Sequence, residues 1–149
     1  WKRSAESLLR IVDKASRYGV TMVIEAASYN TTNVVYDSHR MRRMIDEIGS
    51  PNLKGMLDTC AVAMAGEDIR EDLALLGQDM VHLHFADGTP LGHFIPGEGK
   101  LPLIDYLTAL DEVRYTGAIP FEIYNRLYDF EPEGTMKKCL EFMYQVIPE

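Results

Sequence analysis

The sequence predicts an α/β fold of the (β/α)8-barrel type, about half of one barrel, in a single domain over residues 1–149. Two patterns predict the alternation. Four nearly continuous apolar runs alternate with amphipathic helical patterns, as parallel strands covered on both faces require. A glycine follows a helical pattern and precedes an apolar run at Gly19, Gly49, Gly77 and Gly117, where a left-handed residue suits a helix end. A third pattern selects the barrel: each run carries an acidic residue or a histidine at or near its C-terminal end.

Ser4–Tyr18 reads as the first helix, with Leu8, Leu9, Ile11, Val12 and Ala15 at helical spacing. Val20–Glu25 is the first strand, and Ser38–Ile48, with Met41, Met44, Ile45 and Ile48 on one side, is the second helix. Leu53–Asp58 is a strand, and Asp68–Leu76 a helix through Ile69, Leu73 and Leu76. Met80–Phe85 is the third strand. Pro102–Val113 is a helix carrying Leu103, Leu107 and Leu110, with Pro102 suited to a first turn. Ala118–Ile123 is the fourth strand, followed by a last helix over 133–146. The Gly- and Pro-rich stretch Asp87–Lys100 is the longest connection, a length that tends to be functional.

A doubly wound open sheet would fit the same alternation, but there only the strands at the switch point are expected to carry chemistry. Here Glu25, Asp58, His84 and Glu122 close four successive strands, and a barrel builds its site at that face, one or two residues per strand. A whole barrel takes about 250 residues, so 149 are about half of one. One such carboxylate would read as a cap or loop residue. Four polar ends in succession point to a metal, because an unpaired charge at a buried strand end is costly. Three carboxylates and one imidazole suit Mn²⁺, Mg²⁺ or Co²⁺ better than a thiolate-rich zinc site. His82 shares a face with His84, one layer deeper, and reads as a hydrogen-bonded core histidine.

Acidic residues outnumber basic ones 23 to 15, giving a net charge of −8, which argues against a nucleic-acid partner. The basic run His39–Arg43 reads as a solvated helix face. No apolar run is long enough to cross a membrane and no signal peptide is visible, so a cytoplasmic location is expected. Cys60 and Cys139 lack metal-pair spacing, and Cys60 reads as a small apolar residue near the site. Pro96–Lys100 lacks P-loop spacing and reads as a turn into the Pro102 helix. Tyr29, Asn30, Asn33, Asn125 and Arg126 follow ligand-bearing strands and read as surface-loop residues near the pocket.

Val23-Ile24-Glu25, Met56-Leu57-Asp58-Thr59-Cys60, His82-Leu83-His84-Phe85-Ala86-Asp87, His93-Phe94-Ile95-Pro96-Gly97-Glu98-Gly99-Lys100 and Phe121-Glu122 resemble the xylose-isomerase-like barrel superfamily. Within it they are most similar to the fructoselysine 3-epimerase and tagatose/psicose 3-epimerase group. The resemblance runs over nearly the whole chain and places it as the second half of that family's barrel. It implies that Glu25, Asp58, His84 and Glu122 hold a divalent metal, Mn²⁺ above all, and that Glu25 and Glu122 form the acid/base pair. The implied reaction is sugar epimerisation or isomerisation on a ketose or fructosamine-type substrate through an enediolate. Free-ketose 3-epimerases carry a Glu and a His where this chain has Thr31 and Ala61, and an Arg where it has His93. These departures favour the fructoselysine-type branch. His93 and Asp87 are the candidate substrate contacts, and Asp87 reads equally as a partner of His84 or a turn residue.

Two other readings stand beside this one. An apurinic-endonuclease-like metal-dependent hydrolase shares the fold, but needs more histidines than four and a basic face. A catalytically inactive half-barrel would expose its inner apolar face and self-associate. On either account of the half-barrel the chain is expected to be a homo-oligomer or to lack an N-terminal half. Activity of this chain by itself is the weaker expectation, because loops of all eight strands form a barrel's pocket.

Overall fold

The computed structural model describes residues 1–147, so the last two residues of the expected domain lie outside it. The elements run α1 (Lys2–Ser16), β1 (Met22–Glu25), α2 (Ser38–Ile48), β2 (Leu53–Asp58), α3 (Thr59–Ala65), α4 (Ile69–Leu76), β3 (Met80–His84), α5 (Leu103–Glu112) and α6 (Pro132–Val146). Single 3-10 turns occupy Gly77–Asp79 and Arg126–Tyr128. The strands are parallel in the order β1-β2-β3, with Glu25 beside Met56 and Asp58 beside His84.

The expected fourth strand is present as pairing but not as a regular strand. The Ala118 N–H donates to the Val81 carbonyl (3.1 Å), and the Leu83 N–H donates to Ala118 (2.9 Å). The Phe85 N–H then donates to Pro120 (2.9 Å), and the Glu122 N–H to Phe85 (3.3 Å). That is a parallel ladder with one rung absent. The rung would need an N–H at residue 120, and proline has none. The segment therefore follows β3 through two isolated bridges, His82 to Ala118 and Phe85 to Phe121.

Other boundaries shift for local reasons. β1 starts at Met22 rather than Val20, because the Val20 N–H still bonds the Ala15 carbonyl at the end of α1 (3.1 Å). Short helix α3 lies where only a connection was expected: Asp58 caps it, accepting the Ala61 N–H at 2.7 Å, and Gly66 ends it in the left-handed region. Gly117 is not a left-handed residue. A Cβ there would fall 2.2 Å from the Tyr115 hydroxyl oxygen and 2.4 Å from the Val81 carbonyl oxygen, so close approach demands the glycine. The left-handed residue after α5 is Arg114, at φ 52°.

The two faces of the sheet differ. Leu53, Leu57, Leu83 and Phe85 are buried in one core with Met41, Met44 and Ile45 of α2 and Ile69, Leu73 and Leu76 of α4. Gly55 fits that face because a Cβ would meet Met41 Sδ at 2.6 Å. Tyr106 and Leu110 of α5 and buried Cys139 of α6 extend the helical layer. Alternation turns Met56, Asp58, His82 and His84 to the opposite face. No helix among the described residues is long and apolar enough to cross a membrane.

Candidate metal centre

Glu25 ends β1, Asp58 ends β2, His84 ends β3, and Glu122 lies on the fourth paired segment. Flat neighbouring strands lie about 4.8 Å apart, so the first and fourth segments would stand roughly 14 Å apart in a flat sheet. Here one ligand atom from each of the four residues lies within 4.8 Å of all the others. The sheet therefore curls, as a barrel wall does, and its concave face carries the four side chains.

His84 is the centre of the group. Its Nδ1 lies 3.3 Å from Glu25 Oε1 and 3.0 Å from Glu122 Oε2. That nitrogen is buried and, close as the two carboxylates are, makes no hydrogen bond of good geometry to either. A buried, unpartnered ring nitrogen amid three carboxylates is the arrangement a divalent cation would satisfy, so the residues present fit the expected metal. Burial raises the Glu25 carboxyl above its usual range; the neighbouring charges of Asp58 and Glu122 add to this, and His84 opposes it.

Asp58 is only 3% exposed and divides its oxygens. Oδ1 caps α3, and Oδ2 faces His93 Nε2 at 3.2 Å. His93 also approaches Glu122 Oε2 at 3.4 Å. It stands on the loop after β3 with φ 44°, a strained value for a residue with a Cβ. The hydrogen bond with Asp58 raises its pKa, against the opposing effect of burial. His93 thus lies beside two of the four residues, Asp58 and Glu122.

Asp87 does not turn its carboxylate to the site. Oδ1 accepts the N–H groups of Gly88 and Leu101, and Oδ2 those of Gly97 and Gly99, all at 2.8–2.9 Å. At 2% exposure, with four donors on two oxygens, it has no surface left for a sugar. Nor is it among the groups that meet His84. His82 differs from expectation as well: it stacks edge-on against His84 at 5.2 Å, and its ring makes no hydrogen bond among the described residues. Cys60 is fully buried, its thiol pushed up to about 12 by burial and by the charge of Asp58. Asp58, Cys60 and His93 form a second close trio. Asn125 donates to the Gly92 carbonyl at 3.1 Å and so ties the loop to the segment after the fourth strand, while Tyr29 is exposed.

Known proteins share this arrangement of elements. Fructoselysine 3-epimerase of Escherichia coli O157:H7 is 30% identical over 151 residues, covering 100% of this chain and 54% of that protein. D-psicose 3-epimerase of Agrobacterium fabrum is 25% identical over 122 residues, covering 82% of this chain and 41% of the relative. The chain thus spans about half the length of these curated relatives. The solved IOLI protein, which binds a zinc atom, superposes with a TM-score of 0.83 at 21% identity, over 97% of this chain and 55% of that one. The family profile described as xylose isomerase-like TIM barrel matches residues 1–146, and the chain belongs to that family.

Proposed function

We propose that this chain carries the metal and acid/base residues of a divalent-metal-dependent sugar epimerase or isomerase acting on a ketose or fructosamine-type substrate. The observation that carries the reading is the convergence of Glu25, Asp58, His84 and Glu122, with the buried and unpartnered His84 Nδ1 in their midst. The fructoselysine and psicose 3-epimerase relatives support the reaction class.

Glu25, Asp58, His84 and Glu122 would hold the cation, Mn²⁺ being the first candidate over Mg²⁺ and Co²⁺. A cation held there would polarise a substrate carbonyl and stabilise the negative charge that develops on its oxygen. Glu25 and Glu122 come from the first and fourth segments, so they approach the mouth from two sides. One takes the proton from the carbon beside the carbonyl, and the other returns a proton to the opposite face, which inverts that centre. His93, between Asp58 and Glu122, donates to a substrate hydroxyl.

The test is metal content after exposure to Mn²⁺ and desalting. The chain is expected to retain about one metal per molecule, and a variant combining Glu25→Gln and Asp58→Asn to retain none. Ketose and fructosamine substrates are then assayed with the loaded protein joined to a first barrel half. No metal in either form would sink the proposal and leave a half-barrel with an interaction role.

A further inference from the structure

The Asp87 carboxylate is spent entirely on its own loop. Its N–H donates to the Phe94 carbonyl (3.0 Å), and its carbonyl accepts the Phe94 N–H (2.7 Å). The Cys60 thiol donates to the same carbonyl at 3.4 Å. The carboxylate gathers the N–H groups of Gly88, Gly97, Gly99 and Leu101. A buried carboxylate with no cation beside it needs such a set of donors, and here the donors come from both ends of residues 88–101. The loop is thereby folded back on one side chain. His93 is the residue before Phe94, and so sits at the point the Asp87–Phe94 bridge fixes.

Gly99 shows how tight the arrangement is: a Cβ there would lie 2.2 Å from Asp87 Oδ1 and 2.6 Å from the Gly88 nitrogen. The opposite side of the loop is fixed as well, through Asn125 on the Gly92 carbonyl. The strained φ of His93 persists because these bonds over-determine it.

We propose that Asp87 is a positioning residue of the site, whose carboxylate sets His93 against Asp58 and Glu122 through the loop. Asp87 itself touches neither substrate nor cation. His93 narrows the mouth on the Asp58–Glu122 side, so Asp87 governs which ligands the centre admits without meeting them. This rests on the reading that Glu25, Asp58, His84 and Glu122 hold a divalent cation.

The experiment compares the protein with its Asp87→Asn, Gly99→Ala and His93→Ala variants, each loaded with Mn²⁺ and, as a diamagnetic control, Mg²⁺. Histidine ring signals and backbone amide exchange are followed by NMR. In the parent, Mn²⁺ broadens the ring of His84, and in the Mg²⁺-loaded protein the His93 ring signal is set apart from that of exposed His39 by its contact with Asp58. In Asp87→Asn, whose amide keeps one acceptor oxygen, Mn²⁺ still broadens His84, while in the Mg²⁺-loaded protein the His93 ring signal moves to the position of an exposed imidazole. The amides of Gly97, Gly99 and Leu101 exchange about tenfold to a hundredfold faster. His93→Ala leaves those amides slow, which separates the anchor from the residue it holds. Gly99→Ala pushes the carboxylate aside without removing it and gives the same His93 result, so a poorly folded Asp87→Asn would not leave the question open. A His93 ring signal unmoved in both Asp87→Asn and Gly99→Ala would overturn the proposal, whatever the amide exchange. A parent in which Mn²⁺ leaves His84 sharp would instead overturn the metal reading beneath it.

Discussion

Asp72 lies on α4 at 3% exposure, and its Oδ2 has no partner. Burial pushes its carboxyl up to about 6, and the charges of Glu67 and Asp68 push the same way, against Ser38 and His39 of α2. The folded protein therefore holds a proton there more tightly than the unfolded chain does. Stability falls as pH rises from about 4, the unfolded value, to about 6, and the loss is complete above that. Asp72→Asn removes the charge and is expected to add on the order of 1–2 kcal/mol at pH 7, with little change near pH 4. Denaturant unfolding at the two pH values checks this; an equal effect at both would refute it. The sequence places Asp72 on the same side of α4 as Ile69, Leu73 and Leu76, unlike Glu71, but the missing partner of its carboxylate depends on what packs over the helix. The four site residues were legible for the opposite reason: each sits at the end of an apolar run, where its depth follows from the strand itself. Asp87 was legible as a polar residue near the site, but not as an anchor. Its partners are the backbone amides of Gly88, Gly97, Gly99 and Leu101, up to 14 residues away, and no side-chain pattern records them.

α2 is the element best specified by its own residues. Asp37 accepts the Arg40 N–H at 2.7 Å at the start, and Gly49 ends it in the left-handed region. Asp37→Ala is expected to cost about 1 kcal/mol, read as a lower denaturant midpoint with an unchanged slope. α3 has the same kind of signals, Asp58 before it and Gly66 after it. The strand pattern hides it because Asp58 also closes β2 as a candidate ligand: one oxygen caps the helix and the other faces His93. The double use ties the site to the element: the same carboxylate that would bind metal fixes where α3 begins. Pro120 was visible in the fourth run, and its missing N–H accounts for the rung that segment lacks.

The molecule has two open sides. Val23 is exposed on β1, and Met136, Leu140 and Tyr144 form an exposed apolar stripe on α6 at i, i+4 and i+8. Apolar faces of this kind are associated with partners. The isolated chain is accordingly expected to self-associate at micromolar concentration, and a single monomeric species in equilibrium sedimentation would count against that. The order of the elements limits what such association can achieve. A helix, α1, precedes the first strand, and another, α6, follows the last paired segment. A barrel seats one helix over each gap between strands. Two copies closing on each other would bring an α1 and an α6 to the same gap, at both seams, so one helix at each seam would have to leave. A partner that contributes four strands but only the three helices between them meets no such conflict. Mixing is therefore expected to act as a count: the chain with itself should give loose, open-ended assemblies, and with a first barrel half it should settle at one to one.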